Sequence, residues 1–213
     1  MIEHAQFEAA IIDDVLSVPI ETHEGVFLVS AFRVKCGTQT TEFASLHIGD
    51  VSEEEPLGIP VRIHSGCITG EVFGDLRCDC SWQFKHALKF IAAASKGVVV
   101  YLPQHEGRGN GLLQKVKSFR LMNEGLSSVM AFGELGIPLD VRDYAPAMAV
   151  LRRLGLKRLR LITNNPAKID SARQYGFEVI GRIPSIIETS DARLVEYLES
   201  KKTQLGHLIE VRR

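Results

Sequence analysis

The stretch Gly97–Leu112, GVVVYLPQHEGRGNGL, decides what fold to expect. Val98 to Leu102 is a continuous apolar run typical of a strand buried on both faces of a sheet. Pro103 ends the run, and Gly107, Gly109 and Gly111 follow before Leu112 opens a helical pattern. A strand, a glycine-rich turn and a helix in that order predict an α/β fold. The same turn can cradle a phosphate. Glycine lets the backbone approach an oxyanion, the helix N-terminus offers unpaired N–H groups, and Arg108 adds a bidentate donor. The spacing is neither a Walker loop nor the dinucleotide fingerprint, so a plain turn is the competing reading.

Working toward the C-terminus, a helix is predicted from Leu112 to Glu124, followed by a loop and then Ile137–Tyr144. Asp140 and Arg142 flank one apolar residue there, so in an extended segment their side chains point the same way. A surface ion pair of little energetic value is the alternative. A helix from about Ala145 to Leu154 stops at Gly155, and Leu159–Thr163 reads as another buried strand. It empties into Asn164-Asn165-Pro166-Ala167-Lys168 and a further helix ending near Gly176. Open α/β sheets bind ligands beyond the carboxyl ends of their strands, where this turn and the glycine loop both lie. Val179–Ile183 gives one more strand and Asp191–Leu205 a charged helix. Tyr197, Leu198, Leu205 and His207 read as core or helix-end residues.

Working toward the N-terminus, Arg62–Gln83, RIHSGCITGEVFGDLRCDCSWQ, sets Cys67 ahead of a Cys78-Asp79-Cys80 pair and surrounds them with Arg62, His64, Glu71 and Arg77. Pro60–His64 is a short strand leading to Cys67. After Cys80, Trp82, Ala87, Leu88, Ile91 and Ala92 recur at helical spacing, so the paired cysteines sit where a loop enters a helix, a place that favours thiolate. Three close thiols suit zinc. With three protein ligands zinc keeps a fourth position for a water that it acidifies. A closed structural zinc using Cys36 as fourth ligand, or reduced cysteines packed as small hydrophobes, are equally compatible with the spacing. Residues 1–60 form a β-rich part, with strands at Pro19–Thr22, Val26–Phe32 and Ala44–Ile48 and a turn at Glu24-Gly25. The acidic run Ser52–Pro56 reads as a solvated loop.

With 213 residues, 45% hydrophobic and 24% charged, the chain can build a full core. Its net charge of −1 gives no global field for nucleic acid or an anionic membrane. The first residues show no basic region leading into an apolar segment, and no apolar run reaches membrane-spanning length. Four cysteines make a poor disulfide framework and fit a reducing compartment. A cytoplasmic protein is expected.

In their order, RIHSGCITG, LRCDC, HEGRG, DVRDY, LITNNPAK and LGH resemble GTP cyclohydrolase II, over about Val61 to His207. The resemblance implies a GTP cyclohydrolase II-like α/β fold: a mixed sheet with flanking helices, in a single domain of residues 1–213 with a catalytic core at 61–207. It implies zinc on Cys67, Cys78 and Cys80, with Cys36 a bystander. Arg142 matches the arginine that attacks the α-phosphorus of GTP, and Asp140 its proton acceptor. Magnesium is expected at the phosphates. Arg62, Ile63, His64, Ser65, Gly66, Gln83, Glu106, Gly107, Arg108, Thr163 and Lys168 match nucleotide contacts, and Ser128 occupies a position that is usually threonine. The implied reaction opens the imidazole ring at zinc, with release of pyrophosphate and then formate, in a homodimer.

The chain also departs from the pattern. Phe119 stands where a tyrosine is usual and Gly66 where a glutamate precedes the first zinc cysteine; Pro103, Asn110 and Phe132 replace a usual arginine, isoleucine and asparagine. Phenylalanine keeps the ring and removes a hydroxyl that could donate a proton or orient water. Losing the glutamate removes an acceptor for a base's N–H groups. The alternatives are a relative that retains the formyl group or takes another purine or pyrimidine nucleotide in a specialised or catabolic pathway, and a non-catalytic nucleotide-binding protein with structural zinc.

Overall fold

The computed structural model describes residues 9–53 and 55–210. The first residues, on which the expectation of no leader rests, and Glu54 of the acidic loop fall outside that range. Seven strands form one sheet in the order β1-β2-β3-β5-β4-β6-β7. β1 (Ala9–Thr22), β2 (Gly25–Cys36) and β3 (Gln39–Ile48) are an antiparallel meander, longer than the apolar runs suggest. The first turn is the two-residue His23-Glu24, because Thr22 already pairs with Gly25. β3 then pairs antiparallel with β5 (Gly97–Leu102). β4 (Ile59–Ser65) lies parallel between β5 and β6 (Arg158–Ile162), and β7 (Glu178–Ile183) extends the parallel half. The mixed sheet with flanking helices is therefore as expected, and the β-rich N-terminal part is continuous with the rest of it.

Alternation along β5 explains why its sequence is apolar throughout. Val98, Val100 and Leu102 enter one core with Val61 and Ile63 of β4 and with Met148 and Leu151 of α5 (Ala145–Arg153). Val99 points to the opposite face and meets Phe27, Ile162 and the Ala87, Leu88 and Ile91 stripe of α2 (Cys80–Ala94). Helices thus cover both faces, and fully buried Leu151 or Ile91 truncated to alanine would cost about 2–5 kcal/mol. Two short helices were not legible as such: α1 (Ile68–Glu71), between the first cysteine and the pair, and α4 (Ser128–Glu134), where Ser127 caps Met130 N at 3.2 Å. α3 (Gly111–Asn123), α6 (Pro166–Gln174) and α7 (Ala192–Leu205) follow their predicted spans closely.

Candidate active site

Beyond the carboxyl ends of β4, β5 and β6 lies a cleft open to solvent that holds a cavity of about 160 Å³. Its walls come from the α1 loop, the start of α2, the glycine loop, the Arg142 loop, the turn after β6, and α7.

The three cysteines form one wall. Their sulfurs all lie within 4.8 Å of one another, with Cys67 and Cys78 Sγ 3.8 Å apart. Two sulfurs bound at ~2.3 Å to one tetrahedral zinc are separated by about 3.8 Å, so the trio fits that ion. Gly70 leaves the space: a Cβ there would lie 2.7 Å from Cys78 Sγ and 3.2 Å from Cys67 Sγ. Cys67 is driven toward thiolate, first by hydrogen bonds from Cys78 and Cys80 and then by the Lys115 ammonium 3.0 Å from its sulfur. Cys78 is pushed up to about 11 by its bond to Cys67. Without a cation one thiolate suppresses the ionisation of its neighbours. A dication relieves that. Cys36 is apart, packed at the edge of the main core.

Polar groups behind the thiols are tied in a chain. Asp79, between the paired cysteines, takes Lys201 Nζ of α7 at 3.0 Å and the Gln83 amide on its other oxygen. Gln83 Oε1 accepts from Arg62, whose Nη1 donates to Ile162 O at 3.0 Å. Arg62 Nε also donates to His64 Nδ1, which leaves His64 Nε2–H for Glu71 Oε1 at 2.9 Å. Burial, with Arg62 and Lys168 adding, holds His64 neutral, and burial raises Glu71 to about 7. Glu106 braces the thiol loop from the glycine side: one oxygen accepts Ile68 N and the other meets Lys115 Nζ at 2.6 Å.

The glycine loop is a kinked 3-10 turn, Pro103–Gly109, in which Gly107, Arg108 and Gly109 have consecutive positive φ values of 58°, 59° and 87°. Arginine rarely adopts that conformation, and strain of this kind concentrates at functional sites. Gly109 is also required sterically, since a Cβ would lie 3.1 Å from Val141 C and 3.2 Å from Arg142 N. Arg108 is thereby turned toward Ser128 Oγ at 3.3 Å and Phe132, while its buried Nη1 has no hydrogen-bond partner among the described residues. Arg142 Nε lies 2.8 Å from Asp140 Oδ1. Burial opposes the charge on Arg142, but the Asp140 bonds outweigh it and hold the guanidinium above the ordinary arginine range. Lys168 is buried, donates to the Ile63 carbonyl at 2.8 Å and faces the Tyr144 ring, and burial, then Arg62 and Arg142, hold it well below the lysine range. Arg108 and Lys168, buried with no carboxylate ion pair among the described residues, suit an anionic ligand.

Cys67, Cys78, Cys80, Arg62, His64, Ser65, Gly66, Gln83, Glu106, Gly107, Arg108, Ser128, Arg142, Thr163 and Lys168 all line this cavity. Ile63 does not: its side chain is core, and it contributes its carbonyl to Lys168. Asp140 stands behind Arg142 rather than on the wall. Tyr197 and Leu198 are core and Leu205 and His207 sit at the end of α7, as expected, but Tyr197, Leu205 and His207 also line the cavity, which the sequence pattern did not indicate. Lys115 and Lys201 were missed because a charged residue on an amphipathic helix normally marks the solvent face. The departures cluster as well. Phe119 faces the cavity under the Arg77 guanidinium, 3.8 Å from its ring centre. Gly66 abuts Pro103, where a Cβ would lie 3.1 Å from Pro103 Cα and 3.0 Å from Tyr101 Oη.

The sequence profile described as GTP cyclohydrolase II matches residues 13–184. The chain belongs to the GTP cyclohydrolase II family. Among its relatives, a "Riboflavin biosynthesis protein RibBA" of Aquifex aeolicus is 40% identical over 208 residues, 98% of this chain and 50% of that protein. A "GTP cyclohydrolase-2" of Archaeoglobus fulgidus is 41% identical over 210 residues, covering 98% and 53%. The chain spans about half the length of these curated relatives. A solved structure of RibBX, a two-domain 3,4-dihydroxy-2-butanone 4-phosphate synthase from A. baumannii, aligns at a TM-score of 0.46 and 15% identity over 86% of this chain and 42% of that one, too remote to bear on activity.

Proposed function

We propose that this chain is a zinc-dependent GTP cyclohydrolase that opens the imidazole ring of GTP, releasing pyrophosphate and formate, in riboflavin biosynthesis. The observation that carries the reading is one cavity with a zinc-competent thiol trio on one wall and a guanidinium backed by a carboxylate on another. Cys67, Cys78 and Cys80 hold the zinc. When bound, zinc supplies an acidified water for hydrolysis at neutral pH. Arg108, Lys168 and Arg142 receive the phosphates, with magnesium neutralising the charge they leave. Gln83, Thr163, Ser128 and the Arg62–Gly66 strand end position the nucleotide.

Arg142 must lose a proton to attack phosphorus, and Asp140 is the acceptor within reach. Left alone the pair keeps the proton on Arg142, because Asp140 itself is held below the usual carboxylate range by Arg142 against the opposing effect of burial. Electrostatic drive therefore has to come with the substrate. A homodimer acting in the cytoplasm goes with this reading. No helix among the described residues is long and apolar enough to cross a membrane.

One observation favours a second reading in which the formyl group is retained: Phe119 brings no hydroxyl to the cavity, and its ring is covered by Arg77. Zinc- and magnesium-loaded protein incubated with GTP, with pyrophosphate, formate and product mass followed together, separates the two. Equal pyrophosphate and formate support the complete reaction. Ring-opened product without formate supports the second, and untouched GTP removes both. Arg142→Ala is expected to lower pyrophosphate release by about 10³-fold or more. Undiminished release would take Arg142 out of that role.

A further inference from the structure

The family match ends at residue 184, yet α7 supplies one wall of the cavity. Two sets of contacts seat it. At its far end Leu208 N donates to Asn164 O at 2.8 Å, and Arg182 Nη1 donates to Leu208 O at 3.5 Å, which ties the segment after α7 to the turn beyond β6 and to β7. In its middle, Lys201 Nζ meets Asp79 Oδ1 at 3.0 Å. The Asp79 side chain is 1% exposed and that of Lys201 12%, so the pair is taken almost wholly out of water. Lys201 also lies 4.2 Å from the centre of the Tyr197 ring.

A buried ion pair adds little net stability, because desolvation offsets its attraction; its clearest effect is to fix one arrangement over others. Here the arrangement fixed is the Cys78-Asp79-Cys80 turn. Asp79 has its second oxygen on Gln83, so the turn is held between α7 and α2. We propose that Lys201 is a positioning residue for the metal site: through Asp79 it sets Cys78 and Cys80 for the metal, and in return metal binding holds α7, with Tyr197 and His207, against the cavity. The inference rests on the zinc reading above.

Linkage makes the two halves of this statement reciprocal, so both are measurable. In the full-length wild-type chain, zinc is expected to slow amide hydrogen exchange across residues 192–205 by at least about tenfold, against a smaller change in β1 and β2. Lys201→Met is expected to lower zinc affinity, read by competition with a chromophoric chelator, by about 10–100-fold, the usual cost of losing a partner that orients a ligand. Lys201→Arg should restore most of it. Cobalt at saturating concentration reports geometry directly, and its thiolate charge-transfer bands should shift in Lys201→Met and return in Lys201→Arg. Unchanged α7 exchange in a wild-type chain that binds zinc overturns the inference alone. So does a Lys201→Met variant with wild-type zinc affinity and cobalt spectrum. A wild-type chain that binds no zinc overturns the metal reading and this inference with it. Where Lys201→Met fails to fold, the wild-type exchange experiment still decides.

Discussion

Strands β1 to β3 and strands β4 to β6 share one sheet but take different chemistry out of water. In the meander the buried side chains are Phe27, Phe32, Val34 and Phe43, with Ser30, Ser45 and His47 the polar company, and the Arg33 contacts with Asp13 and Glu42 stay at the surface. At the carboxyl ends of the parallel strands the buried set includes Arg62, His64, Asp79, Glu106 and Lys168. Burying ionised groups is costly unless each is paired, and Lys168 is not paired with a carboxylate. The meander is therefore built for stability. The strand ends are built to hold charge in place, with stability given up for it.

The contrast can be broken first at the thiols. Cys80→Ser is expected to lower ring opening by about 10³-fold or more while near-native circular dichroism and thermal unfolding persist; general unfolding would make the zinc structural and erase the distinction. On the other side, Phe32→Ala in the core under the meander should cost about 3–5 kcal/mol in denaturant unfolding, with KM and zinc affinity of the folded protein unchanged. A changed KM would mean that the two regions are coupled through the sheet.

A pH experiment sharpens the comparison further. His105 donates Nε2–H to Asp143 O at 2.9 Å and accepts from Ser65 Oγ at 3.1 Å, and burial pushes its pKa down to about 3. An unfolded histidine takes a proton near 6.5, so the folded state loses stability as pH falls from about 6.5 toward 3. Glutamine can make both bonds without titrating. His105→Gln should therefore recover about 2 kcal/mol relative to wild type between pH 7 and pH 5, measured by unfolding at each pH. Parallel pH curves would show that the imidazole is not held neutral. The smallest effect is expected at the exposed edge, where Val15→Thr should change stability by under about 0.5 kcal/mol and activity not at all.

Much of this was legible in the sequence, for identifiable reasons. The apolar run at β5 and the helical stripe of α2 are local periodicities, and local periodicity survives folding. The thiol trio and Arg142 were picked out by the family resemblance, because spacing alone left structural zinc, packed cysteines and a surface ion pair open. That Tyr197, Lys201 and His207 reach the site was not legible, because their segment is brought there by Lys201 meeting Asp79 across more than a hundred residues and Leu208 meeting Asn164 across some forty, and no spacing rule encodes such a meeting. The role of Gly70 was hidden likewise: it is explained by sulfur atoms that only the folded loop brings against it.

The position of β4 between β5 and β6 has a consequence in the order of events at the ribosome. β4 carries Arg62 and His64 and delivers Cys67, and all three thiols of the trio are made by residue 80, yet neither neighbouring strand of β4 exists until synthesis passes residues 102 and 162. Synthesis runs from the N-terminus, so the meander can pair while the thiols are still unsupported. The wall made by α7 follows β6 and β7. The thiols therefore wait for β5, β6 and α7 in turn, and the helix that closes beside Asp79 is made after both strands.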